Sequence, residues 1–231
     1  PAGHGALLEN FNEVDADLIF IKNIDNIQHY NHSETGVKTQ RMLGGLFLEV
    51  QEKMDQLIAN FSEAAWNQFN ADYQLFHESA NGLSNDEKLA LLQRPLRICG
   101  MVRNEGQPGG GPFWVENNGE VTKQIVEKAQ INPKSDQVRV MVQSSHFNPV
   151  VMVCQGKNRD GSKINLDEYK DDNAYFKVSK SHNGQSIHFV ELPGLWNGSM
   201  AKWNTVFVEI SSKAFSPVKS ILDLLDKAHQ P

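Results

Sequence analysis

The chain has no excess of basic residues, very little cysteine and no long apolar run, and each shortage excludes something. Its 22 Lys and Arg stand against 28 Asp and Glu in 231 residues, a net charge of −6. General nucleic-acid binders are usually basic, so no nucleic-acid partner is expected, and any phosphate ligand needs a local basic pocket. The two cysteines, Cys99 and Cys154, lie in apolar, strand-like contexts without metal-ligand spacing. They are expected to be buried, reduced thiols of a cytoplasmic protein. No apolar stretch approaches the roughly 20 residues that span a bilayer, so no membrane partner is expected. The chain also lacks an initiator Met and opens inside a glycine motif with no strand before it. It is therefore expected to be the carboxyl-terminal part of a longer protein.

What is present is an ordinary globular composition, 39% hydrophobic and 22% charged. The length suits a single domain over 1–231. The opening, Pro1-Ala2-Gly3-His4-Gly5, combines two glycines that permit a tight turn and close approach to a ligand. Leu7, Leu8 and Phe11 then form a short helical stripe. The apolar run 18–21 is expected to be a strand buried on both faces, as in a parallel sheet. It leads into Asn23-Ile24-Asp25-Asn26. In open α/β sheets ligands gather at the carboxyl ends of strands. A carboxylate there, Asp25, can hold Mg²⁺ against phosphate oxygens. His29 and His32 stand at i, i+3 without a third ligand nearby and are expected in a solvated loop.

Residues 37–94 form a helical insertion. Leu43, Leu46, Phe47, Val50, Met54, Leu57, Ile58 and Phe61 repeat at spacings of three and four, one face of a helix. Gly44-Gly45 inside it suggests close packing or a bend. A second helix carries Trp66, Phe69, Tyr73 and Phe76, and Ser84 with Glu87 makes a capping box for a third that ends before Pro95.

The remainder is expected to be strand-rich. A strand over 96–102 precedes a glycine-rich stretch, 104–114, whose exposed N–H groups can cradle an anion or sugar or simply connect a hairpin. Strands are expected over 121–131, with Glu127 inside, and over 138–142. His146-Phe147-Asn148-Pro149 then forms a turn. The segment 191–204 holds the densest cluster of Trp and Asn, suited equally to stacking on a sugar face and to a lid over the core. A strand over 205–210 leads to Ser216-Pro217-Val218-Lys219. Ser216 is expected as N-cap and Pro217 as first residue of a terminal helix, placing Lys219 in a first turn that attracts anions.

Taken together these segments resemble the UDP-sugar pyrophosphorylases. The resemblance rests on Pro-x-Gly-His-Gly with Asn-x-Asp-Asn after a strand, on Gly110 with the Val-Glu strand at Glu127, on Phe147-Asn148, and on Pro-Val-Lys followed by Asp223-Leu224-Leu225. They occur in that order across residues 1 to 225. The second asparagine of the family's Phe-Asn-x-Asn is absent here. The whole chain looks most like an uncharacterised bacterial domain-of-unknown-function family distantly related to those enzymes. The resemblance implies an α/β fold of the glycosyltransferase-A-like, nucleotide-diphospho-sugar transferase type, with a mixed, mainly parallel sheet flanked by helices. It implies a sugar-1-phosphate nucleotidyltransferase whose partners are a nucleoside triphosphate, a sugar phosphate and the remaining amino-terminal part of the protein, with Mg²⁺ as cofactor. Gly3, His4 and Gly5 would then approach the nucleotide. Asp25 would hold the metal, Gly110, Glu127 and Asn148 the sugar, and Lys219 a phosphate. Two alternatives are a non-catalytic sugar-nucleotide or glycan binder of the same fold and a glycosyltransferase, although the latter's Asp-x-Asp metal pair is not present at Asn23-Ile24-Asp25.

Overall fold

The computed structural model describes residues 3–104 and 110–231. Residues 105–109 of the glycine-rich stretch, and the first two residues of the opening motif, lie outside that description. A short helix, α1 (Leu7–Glu13), leads into strand β1 (Leu18–Lys22). The helices α2 (Glu34–Ala59), α3 (Glu63–Tyr73) and α4 (Asn85–Leu92) follow, the last closed by the expected Ser84–Glu87 capping box. Then come β2 (Leu96–Arg103), the hairpin β3 (Gly111–Asn117) and β4 (Glu120–Val126), and a short helix α5 (Gln137–Val142). The chain returns through β5 (His146–Phe147) and β6 (Val151–Gln155), makes a second hairpin, β7 (Phe176–His182) and β8 (Gln185–Glu191), and re-enters the main sheet as β9 (Asn204–Glu209).

The main sheet is mixed, and the expectation of a mainly parallel one is corrected. β6 lies antiparallel between β1 and β2, with Ile19 opposite Cys154 and Arg97 opposite the same residue. β5 continues along that edge of β2, Phe147 opposite Val102. Only β9, on the other side of β2, is parallel to its neighbour among the described residues. Apolar runs betray burial on both faces but not direction: β6 runs back between β1 and β2, which share a direction, and β5 runs back beside β2. β1, β2 and β9 thus point the same way, and their carboxyl ends share one edge of the sheet.

Alternation along the central strands divides two cores. Ile98 and Val153 point to one face, where Leu43, Phe47, Val50 and Met54 of α2 cover them with Trp66 and Leu92. Cys99, Met152 and Cys154 point to the other, against Phe11, Leu195, Met200 and Trp203. The helical block is therefore the roof of one core. Gly44 is buried and lets α2 approach Phe20, whose Cζ would lie 3.0 Å from an added Cβ. β1 is an edge strand with Phe20 50% exposed, not a strand covered on both faces.

Three further expectations are corrected. Residues 138–142 are helical, leaving Val140 and Val142 exposed. β4 ends at Val126, so Glu127 is the first residue past the strand and caps a single turn at Lys128–Gln130. Pro217 does not open a helix. It bridges Asn26, and the Val218 N–H donates to the Asp25 carbonyl at 2.9 Å, which holds this stretch against the 25–26 backbone. The helical turn starts only at Ile221, capped by Ser220 and Asp223.

Candidate functional site

The site begins where β1 ends. Asn26 is 3% exposed, and both ends of its side-chain amide hold backbone groups. Its Oδ1 accepts from the Ser216 N–H at 2.9 Å and its Nδ2 donates to the Ala214 carbonyl at 3.2 Å. These bonds fasten the 214–218 segment beside the strand end. Lys219 consequently lands on Asp25, and its ammonium forms an ion pair with Asp25 Oδ2. The Asp25 side chain is 23% exposed and its Oδ1 is buried without a hydrogen-bond partner among the described residues.

A hollow of about 170 Å³ opens next to this pair, lined by Asn23, Gly110, Glu127, Asn148, Trp196 and Lys219 among others. It is smaller than the roughly 300–1,000 Å³ of most small-molecule sites, so it suits one ring rather than a whole nucleotide. Glu127 supplies the hollow's carboxylate. Its Oε1 accepts from Trp196 Nε1 at 3.2 Å and Asn197 Nδ2 at 3.0 Å, with His4 Nε2 at 3.3 Å. The Leu195 N–H donates to His4 Nδ1 at 2.9 Å, so the neutral imidazole carries its proton on Nε2, facing Glu127. The ring also stacks on Trp196, centroids 3.8 Å apart. Burial disfavours the ionised Glu127, but hydrogen bonds from His4, Asn197 and Trp196 together outweigh it and hold the carboxyl below its ordinary range. With three donors converging on Oε1, Oε2 is the oxygen with capacity for ligand hydroxyls.

The other expected residues take distinct places. Asn148 is 3% exposed. Its Nδ2 donates to the Gly100 carbonyl at 2.6 Å and its Oδ1 accepts from the Val150 N–H at 3.0 Å, which leaves one amide N–H for the hollow. This is what interrupts the strand between β5 and β6, with Val150 at φ 55°. Gly110 accepts from the Asn148 N–H at 2.7 Å, and a Cβ on it would meet Ile125 Cγ2 at 2.8 Å and Glu127 Cγ at 3.1 Å. Gly3, at φ 80°, is pressed against Glu191, and Gly5 is buried against the Leu192 and Pro193 carbonyls. Their missing side chains are thus already required by the protein's own packing. Lys219, Gly110, Glu127 and Asn148 share the hollow, Asp25 joins through Lys219, and His4 joins through Glu127.

Three contributors escaped the residue assignments. Trp196 and Asn197 had a signal, the dense Trp and Asn segment. Arg97 had none: it is fully buried, donating from Nε to Thr205 Oγ1 at 2.8 Å and from Nη1 to the Trp196 carbonyl at 2.6 Å. It pins the loop that carries the Glu127 partners.

Among the described residues no group of three or more His, Cys, Asp or Glu is placed to hold a metal ion. Asp25 fits Mg²⁺ only as a one-carboxylate site completed by ligand oxygens and water, and since its Oδ1 is buried and its Oδ2 is held by Lys219, the ion fits there only when Lys219 moves off the carboxylate. Both cysteines are buried and free, and burial pushes the Cys99 thiol up to about 11 and that of Cys154 higher still. No described helix is long and apolar enough to cross a membrane.

A search of the curated proteins finds no match. Among solved structures, a point mutant of the UDP-glucose pyrophosphorylase of Leishmania major is similar over 97% of this chain and 41% of its own, at 15% identity and a TM-score of 0.44. A UDP-glucose phosphorylase of Trypanosoma brucei is similar over 73% of this chain and 32% of its own, at 14% identity and a TM-score of 0.38. Another Leishmania major mutant, in complex with UDP-glucose, covers 62% of this chain and 33% of its own at 15% identity and a TM-score of 0.36. The chain spans well under half the length of each of these structures. The family described as a domain of unknown function (DUF4301) matches residues 1–230, and the chain belongs to that family.

Proposed function

We propose that this chain carries the sugar and phosphate half of a sugar-1-phosphate nucleotidyltransferase site on a glycosyltransferase-A-like fold. The observation that carries the reading is the single hollow lined by Glu127, Asn148 and Lys219, with Asp25 held at Lys219. A fixed carboxylate accepts from adjacent hydroxyls, a free amide N–H donates to one, and an ammonium counters phosphate charge. In such a reaction a sugar-phosphate oxygen attacks the α-phosphorus of a nucleoside triphosphate. A new P–O bond forms as the bond to the β-phosphate breaks, and pyrophosphate leaves. The protein's part is positioning and charge neutralisation rather than covalent chemistry. Glu127 and Asn148 orient the ring, and Lys219 turns from Asp25 toward the phosphate. When bound, Mg²⁺ on Asp25 would add positive charge at the phosphates. The nucleotide lies outside the hollow, on the side of Gly3, His4 and Gly5, and the rest of a longer protein supplies its triphosphate loop.

The test is pyrophosphate release by the full-length protein with Mg²⁺, UTP or other nucleoside triphosphates, and hexose 1-phosphates. Asp25→Asn and Lys219→Ala are expected to abolish release while sparing the fold. Unchanged rates in both variants count against the assignment. The second reading, a binder that kept the fold without turnover, is favoured by the Asp25–Lys219 ion pair, in which each group already has its counter-charge. Calorimetric binding of sugar phosphate without release selects it.

A further inference from the structure

Away from this site, a larger cavity of about 380 Å³ separates the helical block from the β3–β4 hairpin. Its wall is apolar along Leu75, Phe76, Leu83, Leu91, Val121 and Trp203. Its volume falls in the range of about 300–1,000 Å³ common to small-molecule sites. Four charged side chains matter. Arg94 is neutralised by Glu120, which it grips through both Nη atoms. Glu87 is committed to capping Ser84, whose hydroxyl and N–H it accepts at 2.7 and 2.8 Å. Lys123 has no hydrogen-bond or carboxylate partner among the described residues, although it is only partly exposed.

Lys123 sits opposite Trp114 on the hairpin, its Nζ 5.1 Å from the ring centroid, and His77 meets the same indole edge-on at 5.2 Å. Desolvation pushes its ammonium down to about 8. The contrast with Lys88 is instructive. That lysine is also buried over an indole, Trp66, but Glu63 takes its ammonium at 2.8 and 2.9 Å. A desolvated cation without an anion is costly. At Lys123 the missing anion has an apolar cavity beside it.

We infer that this cavity is a second binding site, for a small organic monoanion with an aromatic or apolar body and one carboxylate, the carboxylate seated on Lys123. A phosphate or polyanion is disfavoured because Arg94 is already paired with Glu120 and Glu87 on the wall offsets Lys123 in the charge balance, which leaves a single unpaired ammonium and no net positive charge.

Phenylacetate, with the uncharged phenylacetamide as its counterpart, tests this on the whole protein by calorimetry and tryptophan fluorescence. Phenylacetate is expected to bind saturably and the amide at least about tenfold more weakly, since the charged contact is lost. Lys123→Met should reduce phenylacetate to the amide's affinity. Ala90→Phe, at an exposed α4 position on the cavity wall, keeps Lys123 but fills the space and should abolish both. Circular dichroism checks each fold, and Ala90→Phe decides the matter if Lys123→Met unfolds. Equal affinity for acid and amide, retained phenylacetate binding in either folded variant, or no saturable phenylacetate binding overturns the proposal.

Discussion

Lys219 forms its ion pair with Asp25 across 194 positions of chain, and the residue that brings the two together is their neighbour Asn26. The pair itself is partly solvated, Lys219 being 57% exposed. Such pairs contribute about 0–1 kcal/mol. Asn26 is different, because replacing it strands the half-buried Ser216 N–H and the buried Ala214 carbonyl. Asn26→Ala is expected to cost about 1–3 kcal/mol in urea unfolding, while Lys219→Ala stays within about 1 kcal/mol of the parent. Equal losses would mean that the ion pair, not the amide, fastens the carboxyl-terminal segment.

Glu127 gives a pH dependence with a definite sign. Its folded-state pKa is depressed from the ordinary 4.5, so its contribution is complete above about 4.5 and is lost as pH falls through the lower folded value. Stability should therefore decline on acidification below about 4.5, partly through this group. Glu127→Gln keeps the shape but cannot ionise, and its stability profile should be flatter over that window. An unchanged slope in thermal melts between pH 5 and about 3 would show that the His4, Trp196 and Asn197 donors are not selecting the ionised form.

Asn148 lines the hollow, yet most of its amide serves the backbone. Asn148→Ala leaves the Gly100 carbonyl and the Val150 N–H unpaired at the break between β5 and β6. A loss of about 2–4 kcal/mol is expected by denaturant unfolding, from two stranded buried groups. Asn148→Asp should be as damaging or worse, since it replaces the donor to Gly100 with an acceptor. A stable Asn148→Ala protein that merely binds sugar phosphate weakly would reverse this order of roles.

Which parts of the fold the sequence revealed follows from what kind of interaction fixes each. The α2 face was legible because Leu43, Phe47, Val50 and Met54 repeat with the helix, and burial of that face is the dominant force. The capping box at Ser84 was legible because its bonds are local. Residues 138–142 alternate Val-Arg-Val-Met-Val as a strand would, but no described strand pairs with them, so their backbone bonds close locally into α5. Likewise Pro217 carries a helix-start signal that its bridge with Asn26 overrides. Gly110, Glu127, Asn148 and Lys219 of the hollow could be named from motif order. That His4 faces Glu127 rather than open solvent, and that Arg97 steadies Trp196, depends on loops meeting at long range, which no spacing encodes.

Glycines separate the packing requirements from the merely tolerated positions, and three substitutions to alanine should fall in a fixed order. At Gly5 the new Cβ runs into the Leu192 and Pro193 carbonyls, backbone atoms that cannot rotate away, so this variant should lose the most. At Gly110 the obstacles are the Ile125 methyl at 2.8 Å and Glu127 Cγ at 3.1 Å, side-chain atoms that can shift. The loss should be smaller, but Glu127 must move, and tryptophan fluorescence should change because Trp196 donates to it. At Gly45, exposed in α2 with nothing within 4 Å of an added Cβ, alanine meets no obstacle. It should stabilise by about 0.5–1 kcal/mol through helix propensity alone. Urea unfolding ranks all three, and a Gly5→Ala protein as stable as Gly110→Ala would show that the opening turn is not anchored on the 192–193 segment.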